Sequence, residues 1–150
     1  MQISYHHLRP AAKDDAAAIK ALIRAVNINP MGIKWQRFVV AVDENGRLLG
    51  CGQIKPHRDG SWELASIAVQ PKFQHQGIAR AIITHLCNNH SGSLWLTCIN
   101  RLAPFYEKYG FVEETAVAHM PPYFRNARRF FQLYQILTRT PDYLAVMKKP

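Results

Sequence analysis

The sequence contains no apolar run long enough to cross a membrane. A transmembrane helix needs about 20 consecutive apolar residues, and polar or charged side chains interrupt every apolar stretch of this chain well before that length. The first fifteen residues also lack the basic segment followed by an apolar stretch that is typical of a secretory signal. We therefore expect no membrane partner and a cytoplasmic location.

Cysteine is scarce, and the three thiols, Cys51, Cys87 and Cys98, show no paired spacing. An odd number without pairs indicates free thiols in a reducing compartment. Cys98 lies in the apolar run LWLTCI, where a core thiol is expected. The histidines have no metal-ligand spacing either, since the adjacent His6 and His7 would point to opposite faces of a strand. No metal site is predicted.

Acidic residues are few as well. Ten Asp plus Glu against nineteen Lys plus Arg give a formal net charge of +9, so the surface would attract an anionic ligand, an acidic substrate or nucleic acid. The composition, 48% hydrophobic and 19% charged, is that of a folded globular protein. A chain of 150 residues predicts a single domain over residues 1–150.

Hydrophobic periodicity predicts alternating strands and helices. Strands are predicted at 3–8, 38–42, 47–54, 61–69, 94–99, 111–115 and 143–149, with hairpin turns at 43–46 and 57–60. A first helix opens at Asp14 and Asp15, and its apolar stripe consists of Ile19, Leu22, Ile23 and Val26. A short helix is predicted in LAPFYEKYGF, ended by Gly110.

A second long helix is predicted to begin at Gly77, after the polar loop of the segment QPKFQHQGIARAIITHL (70–86). Its apolar positions are Ile78, Ile82, Ile83 and Leu86. The first turn of a helix has unpartnered amides and attracts anions, and glycine lets an anion approach closely. The loop fits neither common phosphate motif, G-x-x-x-x-G-K-[ST] or G-x-G-x-x-G. By itself the glycine is equally compatible with an ordinary tight turn.

A third helix is predicted in the segment HMPPYFRNARRFFQLYQILTRTP (119–141), with Pro122 in its first turn. Its apolar stripe consists of Tyr123, Ala127, Phe130, Phe131, Tyr134 and Leu137. Arginines lie mostly off this stripe, at positions 125, 128 and 129. We interpret the helix as packing its aromatic face on the sheet; the alternative is a nucleic-acid surface.

The order of these elements, with Gln74-His75-Gln76-Gly77-Ile78-Ala79 at the second long helix and NRLAPFYEKYGF at 100–111, resembles the GNAT superfamily of acyl-CoA-dependent N-acetyltransferases. The resemblance covers residues 3–111 well and the last forty poorly. It implies an α/β fold with a mixed, mainly antiparallel sheet of six to seven strands flanked by helices, and a helical insertion before the last strand. It also implies acetyl transfer to a primary amine by direct attack through a ternary complex.

The cofactor implied by the resemblance is acetyl-CoA. Its pyrophosphate would be held by main-chain amides of the loop and the helix start, which belong to Gln74, His75, Gln76, Gly77, Ile78 and Ala79. Many relatives have a second glycine where His75 stands. The pantetheine arm would pair with the main chain at Ile67, Ala68 and Val69 and contact the side chain of Asn100. Asn100 could instead cap the following helix.

The resemblance also implies catalytic roles. Tyr106 matches the general acid that protonates the departing thiolate, although Tyr106 and Phe105 would also form a good apolar pair. The amide of Val69 matches the group that polarises the thioester carbonyl. Glu63, six residues earlier, stands where some members carry the base; it could equally be an exposed carboxylate.

The base is left open between Glu63, two histidines with suitable intrinsic chemistry, His57 and His119, and a chain of water molecules. Candidate acceptor contacts are Trp35, Tyr123 and Arg125, and the acceptor is a small-molecule or protein amine. A covalent intermediate on Cys98 is a minor alternative.

Two rival functions remain. One is a catalytically silent acyl-CoA-binding module, and the other is a nucleic-acid-binding protein that uses the basic and aromatic helix at 123–139. We do not expect a nucleic-acid partner, and we expect a monomer or a homodimer.

Overall fold

The computed structural model describes residues 6–150 of the chain. Within this described part, seven strands form one sheet: β1 (His7–Pro10), β2 (Phe38–Val42), β3 (Leu48–Pro56), β4 (Trp62–Val69), β5 (Leu94–Ile99), β6 (Val112–Glu113) and β7 (Leu144–Lys149). Their order across the sheet is β1-β2-β3-β4-β5-β7-β6. The pair β4/β5 is parallel, while β1/β2, β2/β3, β5/β7 and β6/β7 are antiparallel. The predicted mixed and mainly antiparallel sheet is confirmed.

The described residues also form four α-helices: α1 (Ala16–Ala25), α2 (Ile78–Asn88), α3 (Ala103–Glu107) and α4 (Pro122–Thr138). The two aspartates predicted to open α1 lie in a single 3-10 turn, Lys13–Asp15, directly before it. Of the strand predicted at 3–8, residues 3–5 lie outside the described residues, and β1 begins at His7. Within residues 6–150, no helix has both the length and the apolarity that a membrane span requires.

The chain divides into two compact units. Among the described residues, the first contains 6–55 and Leu64–Ser91, and the second contains Pro56–Glu63 and Gly92–Pro150. Helices α1 and α2 belong to the first unit, α3 and α4 to the second. The single domain expected over 1–150 stays a prediction.

The core of the first unit follows the predicted helix stripes. Ile19, Leu22 and Ile23 of α1 are buried, and they pack in a cluster with residues of β2, β3 and β4. The whole predicted face of α2 is buried as well: Ile78, Ile82, Ile83 and Leu86.

Two glycines of β3 allow α2 to approach the sheet. A Cβ atom on Gly52 would lie 2.6 Å from Cδ1 of Ile67 and 2.7 Å from Cγ2 of Ile82, and one on Gly50 would lie 2.9 Å from Cγ2 of Ile78. These distances are shorter than non-bonded carbon–carbon contacts in folded proteins, so side chains at these positions would push the helix away. The start of α2 is therefore placed by a close packing that depends on glycine in the neighbouring strand.

The second unit has its own small core of Trp95, Met120, Phe124 and Val146, with Tyr123 packed against it. The rings of Trp95 and Phe124 stack with centroids 5.6 Å apart. The first turns of α4 pack in this core.

The predicted packing of the aromatic stripe of α4 is wrong over the last turns. Phe130, Tyr134 and Leu137 are exposed, whereas the buried residue of the helix is Phe124. Six residues advance a helix by about 600°, so Phe124 and Phe130 point in directions about 120° apart and do not share one narrow face. The helix packs on the face of Phe124 and leaves the predicted stripe largely to solvent.

Candidate active site

The loop before α2 adopts left-handed backbone at two positions, His75 (φ +64°) and Gly77 (φ +84°). The amide of Phe73 donates to the Gln70 carbonyl, and the next main-chain bond in sequence is from the Ala81 amide to the Gly77 carbonyl. Among the described residues, none accepts a hydrogen bond from the main-chain amides at 74–80. These amides include all six that the resemblance assigned to the pyrophosphate.

The surroundings of this loop are open and cationic. A Cβ atom on Gly77 would meet nothing within 4 Å. Lys72 and Arg80 flank the loop with exposed side chains, and no acidic residue occurs between 64 and 106. Unpaired amides, the positive end of the α2 dipole and these cations together suit a polyanion.

Strand β4 contains an irregular residue, Ser66, at φ +58°. Gln53 Nε2 donates to its hydroxyl at 2.9 Å, and the Cys51 thiol donates to its carbonyl at 3.6 Å. The irregularity lies three residues before Val69, whose amide the resemblance assigned to the thioester carbonyl. Gln53 is fully buried and also donates to the Gly32 carbonyl at 3.3 Å.

Sequence reasoning missed Gln53. The available signal was a single amide side chain in the otherwise apolar run RLLGCGQI. A left-handed residue other than glycine is strained, and two hydrogen bonds from β3 to Ser66 offset that strain. Burial raises the pKa of the Cys51 thiol to about 12, so this group stays neutral at physiological pH.

Glu63 and His57 form a pair in the second unit. His57 Nε2 lies 2.8 Å from Glu63 Oε1, and their side chains are only 9% and 8% exposed. Two of the sequence candidates for the base are thus in direct contact, and Glu63 is not an exposed carboxylate. The third candidate, His119, is 73% exposed and lies 3.6 Å from Glu114.

Tyr123 covers the His57 ring, with stacked centroids 3.6 Å apart. The Tyr123 amide donates to Asp59 at 2.9 Å. Burial acts to raise the pKa of Asp59, but hydrogen bonds from Ser61 and from the Tyr123 amide outweigh it, and the pKa lies below its ordinary value. A pocket of about 380 Å³ opens beside this group, lined by His57, Arg58, Asp59, Pro122 and Tyr123.

Tyr106, on α3, lies in a cluster of aromatic side chains. Its ring meets Phe105 edge to face at 5.0 Å and Phe111 at 6.3 Å. Burial, with smaller contributions from the charges of Cys98 and Tyr109, raises the pKa of Tyr106 to about 12. The hydroxyl therefore keeps its proton at neutral pH. Tyr106 thus packs against aromatic neighbours and still has a proton to donate.

Cys98 is also held as a neutral thiol. Burial and the charge of Glu113 raise the pKa of Cys98 to about 11. A thiolate is the nucleophilic form of cysteine, so this environment disfavours attack by Cys98. Among residues 6–150, no group of three or more His, Cys, Asp and Glu side chains is arranged to hold a metal ion.

Asn100 joins the end of β5 to the start of β7. Its Oδ1 accepts from the Tyr143 amide at 2.9 Å, and its own amide donates to the Tyr143 carbonyl at 3.0 Å. The N-cap of the 3-10 turn Asn100–Leu102 is Ile99 and that of α3 is Leu102, so Asn100 caps neither of them. Contact of Asn100 with the pantetheine arm stays a prediction, for which Nδ2 is the group that remains.

Trp35 and Arg125, two of the predicted acceptor contacts, already contact other parts of the protein. Trp35 packs against the core of the first unit. The Arg125 guanidinium donates to the carbonyls of Val117 and Met120, at 3.3 and 3.1 Å. Their contact with an acceptor stays a prediction.

Comparison with known proteins addresses the family. A family model described as an acetyltransferase (GNAT) domain matches residues 34–113, more than half of the chain. The chain belongs to the GNAT acetyltransferase family. The matched range includes the amide-rich loop, Ser66, the His57–Glu63 pair and Tyr106. No curated protein sequence matches the chain significantly.

Solved structures show the same fold at low sequence identity. N-acetylglutamate synthase from Neisseria gonorrhoeae, complexed with coenzyme A and N-acetyl-glutamate, is 19% identical with a TM-score of 0.72; the match covers 97% of this chain and 35% of that one. The chain thus spans about a third of that synthase. A Mycobacterium tuberculosis protein in complex with CoA is 21% identical (TM-score 0.71, covering 95% of this chain and 98% of that one). A GCN5-related N-acetyltransferase from Kribbella flavida is 18% identical (TM-score 0.66, covering 97% of each chain).

Proposed function

We propose that this GNAT protein transfers an acetyl group from acetyl-CoA to a primary amine by direct attack within a ternary complex. The observation that carries the proposal is the run of unpartnered amides at 74–80, at the start of α2 and among cations. This donor set fits a diphosphate, because each amide can donate to a phosphate oxygen and none is used internally. Neighbours of the same fold that contain coenzyme A support it.

Donor binding is assigned to main-chain groups of the first unit. The amides of the loop and the helix start would hold the pyrophosphate, and the main chain at 67–69 would hold the pantetheine arm. Contact of Asn100 Nδ2 with this arm stays a prediction of the sequence resemblance. When bound, acetyl-CoA supplies an acetyl thioester whose carbonyl carbon is open to attack.

The Val69 amide is assigned to the thioester carbonyl. A preorganised amide stabilises the negative charge that develops on a carbonyl oxygen during attack. The left-handed backbone of Ser66 interrupts the regular strand geometry of β4 three residues before this amide.

Proton acceptance is assigned to Glu63 together with His57. An amine must lose a proton to attack, and a base near neutrality serves this purpose. If Nε2–H of the imidazole donates to Glu63, its Nδ1 carries the lone pair, and no described residue occupies Nδ1. His57 then takes the proton while the buried carboxylate stabilises the imidazolium that forms. The adjoining pocket and Tyr123 suit the acceptor.

Proton donation is assigned to Tyr106. Its hydroxyl keeps its proton at neutral pH and can donate a hydrogen bond to a thiolate as that charge develops. The neutral Cys98 thiol supports direct attack over a covalent intermediate. Trp35 and Arg125 complete the proposed acceptor contacts.

Calorimetry with coenzyme A tests the proposal, with a matched pair of variants. Gly77 and Gly92 both have positive φ, and a Cβ on either would meet nothing within 4 Å. Valine at either position should therefore cause similar backbone strain. Gly77→Val should weaken CoA binding at least tenfold, because it distorts the amide cradle, while Gly92→Val should bind as the native protein does. Absence of CoA binding by the folded native protein would refute the proposal.

An acceptor panel distinguishes the rivals. The protein is incubated with acetyl-CoA and a broad set of amines, and thiol release and product mass are measured. Acceptor-dependent release is expected. Tight CoA binding without any release would indicate the silent binding module, and strongly salt-dependent binding of RNA or DNA would support the nucleic-acid rival.

A further inference from the structure

The last turns of α4 present an apolar stripe to solvent. Phe130, Leu133, Tyr134 and Leu137 follow the spacing i, i+3, i+4, i+7, and they are 78%, 61%, 52% and 83% exposed. Ile136, beside them, is 73% exposed. Isolated exposed apolar residues are ordinary, but a contiguous stripe of large side chains at helical spacing marks an interaction surface.

This stripe is additional to the packing face of the helix. Phe124 is fully buried and contributes to the core of the second unit. The helix is therefore held in place on one side while the stripe points elsewhere. Since α4 does not need the stripe for its own packing, the stripe is available to a partner.

The charge of the segment indicates the chemistry of that partner. Residues 122–141 contain four arginines and no Asp or Glu. Arg125 and Arg128 donate to main-chain carbonyls, whereas Arg129 and Arg139 are exposed and no described residue pairs with them. Arg129 lies one turn before Leu133, and Arg139 directly follows the helix.

A second copy of the chain is disfavoured as the partner. Each copy would contribute a segment, 122–141, with four arginines and no Asp or Glu, so packing of two stripes brings two cationic segments together without an acidic partner on either helix. Both the antiparallel and the parallel arrangement therefore bring like charges near one another. An anionic surface removes this conflict.

We propose that the exposed stripe of α4 docks on an anionic lipid surface. An interfacial helix buries its large apolar side chains at the boundary between headgroups and acyl chains while its cationic side chains contact lipid phosphates. The four stripe residues serve the first role, and Arg129, at the edge of the stripe, serves the second. Such binding lies along the surface and needs no spanning helix, and it departs from the expectation that the protein has no membrane partner.

Vesicle flotation tests the proposal. The native protein should float with phosphatidylglycerol–phosphatidylcholine vesicles at low salt, at least tenfold more than with phosphatidylcholine alone. The double variant Leu133→Ser, Leu137→Ser should lose at least tenfold in binding. Arg129→Gln should lose severalfold and weaken the salt dependence. Val112→Ser is the matched control, because Val112 is a 67% exposed apolar residue of β6 in the same unit, and it should bind as the native protein does.

Two results would overturn the proposal, once circular dichroism has shown that each variant is folded. The first is equal flotation of the native protein and the double variant, or no preference for anionic vesicles. The second is a native dimer that the double variant abolishes in sedimentation, which would assign the stripe to a second copy. Neither readout requires the acetyl acceptor to be known.

Discussion

His57 Nε2 lies 2.8 Å from Glu63 Oε1, and both side chains are buried. The turn between β3 and β4 creates this pair, since the His57 amide donates to the Ser61 carbonyl and the Gly60 amide returns to the His57 carbonyl. The turn thereby brings two residues that are six positions apart in sequence within hydrogen-bond distance. The imidazole is held at Nε2 by Glu63, and Tyr123 stacks on one face of its ring.

We expect His57→Ala to lower turnover about 100-fold, because a positioned general base contributes at least about that factor. Glu63→Ala should lower turnover as well, and the double variant should lose less than the product of both effects because the two groups act as one unit. His119→Ala is the control and should keep native turnover. The measurement is kcat with an acceptor found in the panel. Full activity of His57→Ala would leave Glu63 or water as the base.

Tyr106→Phe should lower turnover about 100-fold while CoA affinity stays within about twofold, because the hydroxyl acts on a charge that exists only in the transition state. Tyr109→Phe, which removes a hydroxyl from the same aromatic cluster, should leave turnover unchanged. Steady-state kinetics and calorimetry check both variants. If Tyr106→Phe and Tyr109→Phe behave alike, Tyr106 has a packing role alone.

His75 holds a left-handed conformation that glycine adopts freely. His75→Gly relieves about 1 kcal/mol of strain and loses a similar amount to chain entropy, so stability should change by less than about 1 kcal/mol and CoA affinity should be kept. His75→Val, a β-branched residue at positive φ, should reduce both. Thermal unfolding and CoA calorimetry measure these effects. Equal affinity of the valine and glycine variants would show that the loop conformation does not govern binding.

Gly52→Ala should destabilise the protein by about 1 to 3 kcal/mol, because the new methyl group overpacks a filled contact. The closest atom is Cδ1 of Ile67 at 2.6 Å. Adding Ile67→Val removes that atom, and the double variant should recover part of the loss. Urea unfolding measures all three proteins. A neutral Gly52→Ala would mean that α2 can move away from β3 without cost.

Stability should fall in alkali. The pKa values of Cys51, Cys98 and Tyr106 are raised to about 12, 11 and 12 from ordinary values of 9.0, 9.0 and 10.0. Below pH 9 these groups are neutral in both states; above it the unfolded chain loses protons first, so the free energy of unfolding decreases toward pH 12. Urea unfolding between pH 8 and 11 under reducing conditions measures this slope. Cys51→Ala should flatten it, and an unchanged slope would contradict the role of the buried thiol.

Local sequence patterns predicted most of the elements. The strands at 38–42 and 94–99 and the buried face of α2 were all confirmed, because alternation and helical spacing are properties of a few neighbouring residues. The motifs at 74–79 and 100–111 predicted the family, which the GNAT family model confirms.

Several features of the candidate site could not be read from the sequence. Gln53 is a single polar residue in an apolar run, and its hydrogen bond to Ser66 joins two strands. Glu63 and His57 each appeared as separate candidates for the base, and their contact depends on the geometry of the turn. The apolar residues of α4 were grouped into one stripe, although the helix has two apolar directions and packs on only one of them.

By itself the sequence determined the order of strands and helices, the glycine-marked start of α2 and the membership in the GNAT family, since each is encoded in residues close together along the chain. The tertiary structure decided which histidine contacts Glu63, how far the pKa values of Tyr106 and Cys98 are raised, and which side of α4 stays exposed. Burial and hydrogen-bond partners arise from segments that are distant in sequence, so they are fixed only when the chain has folded.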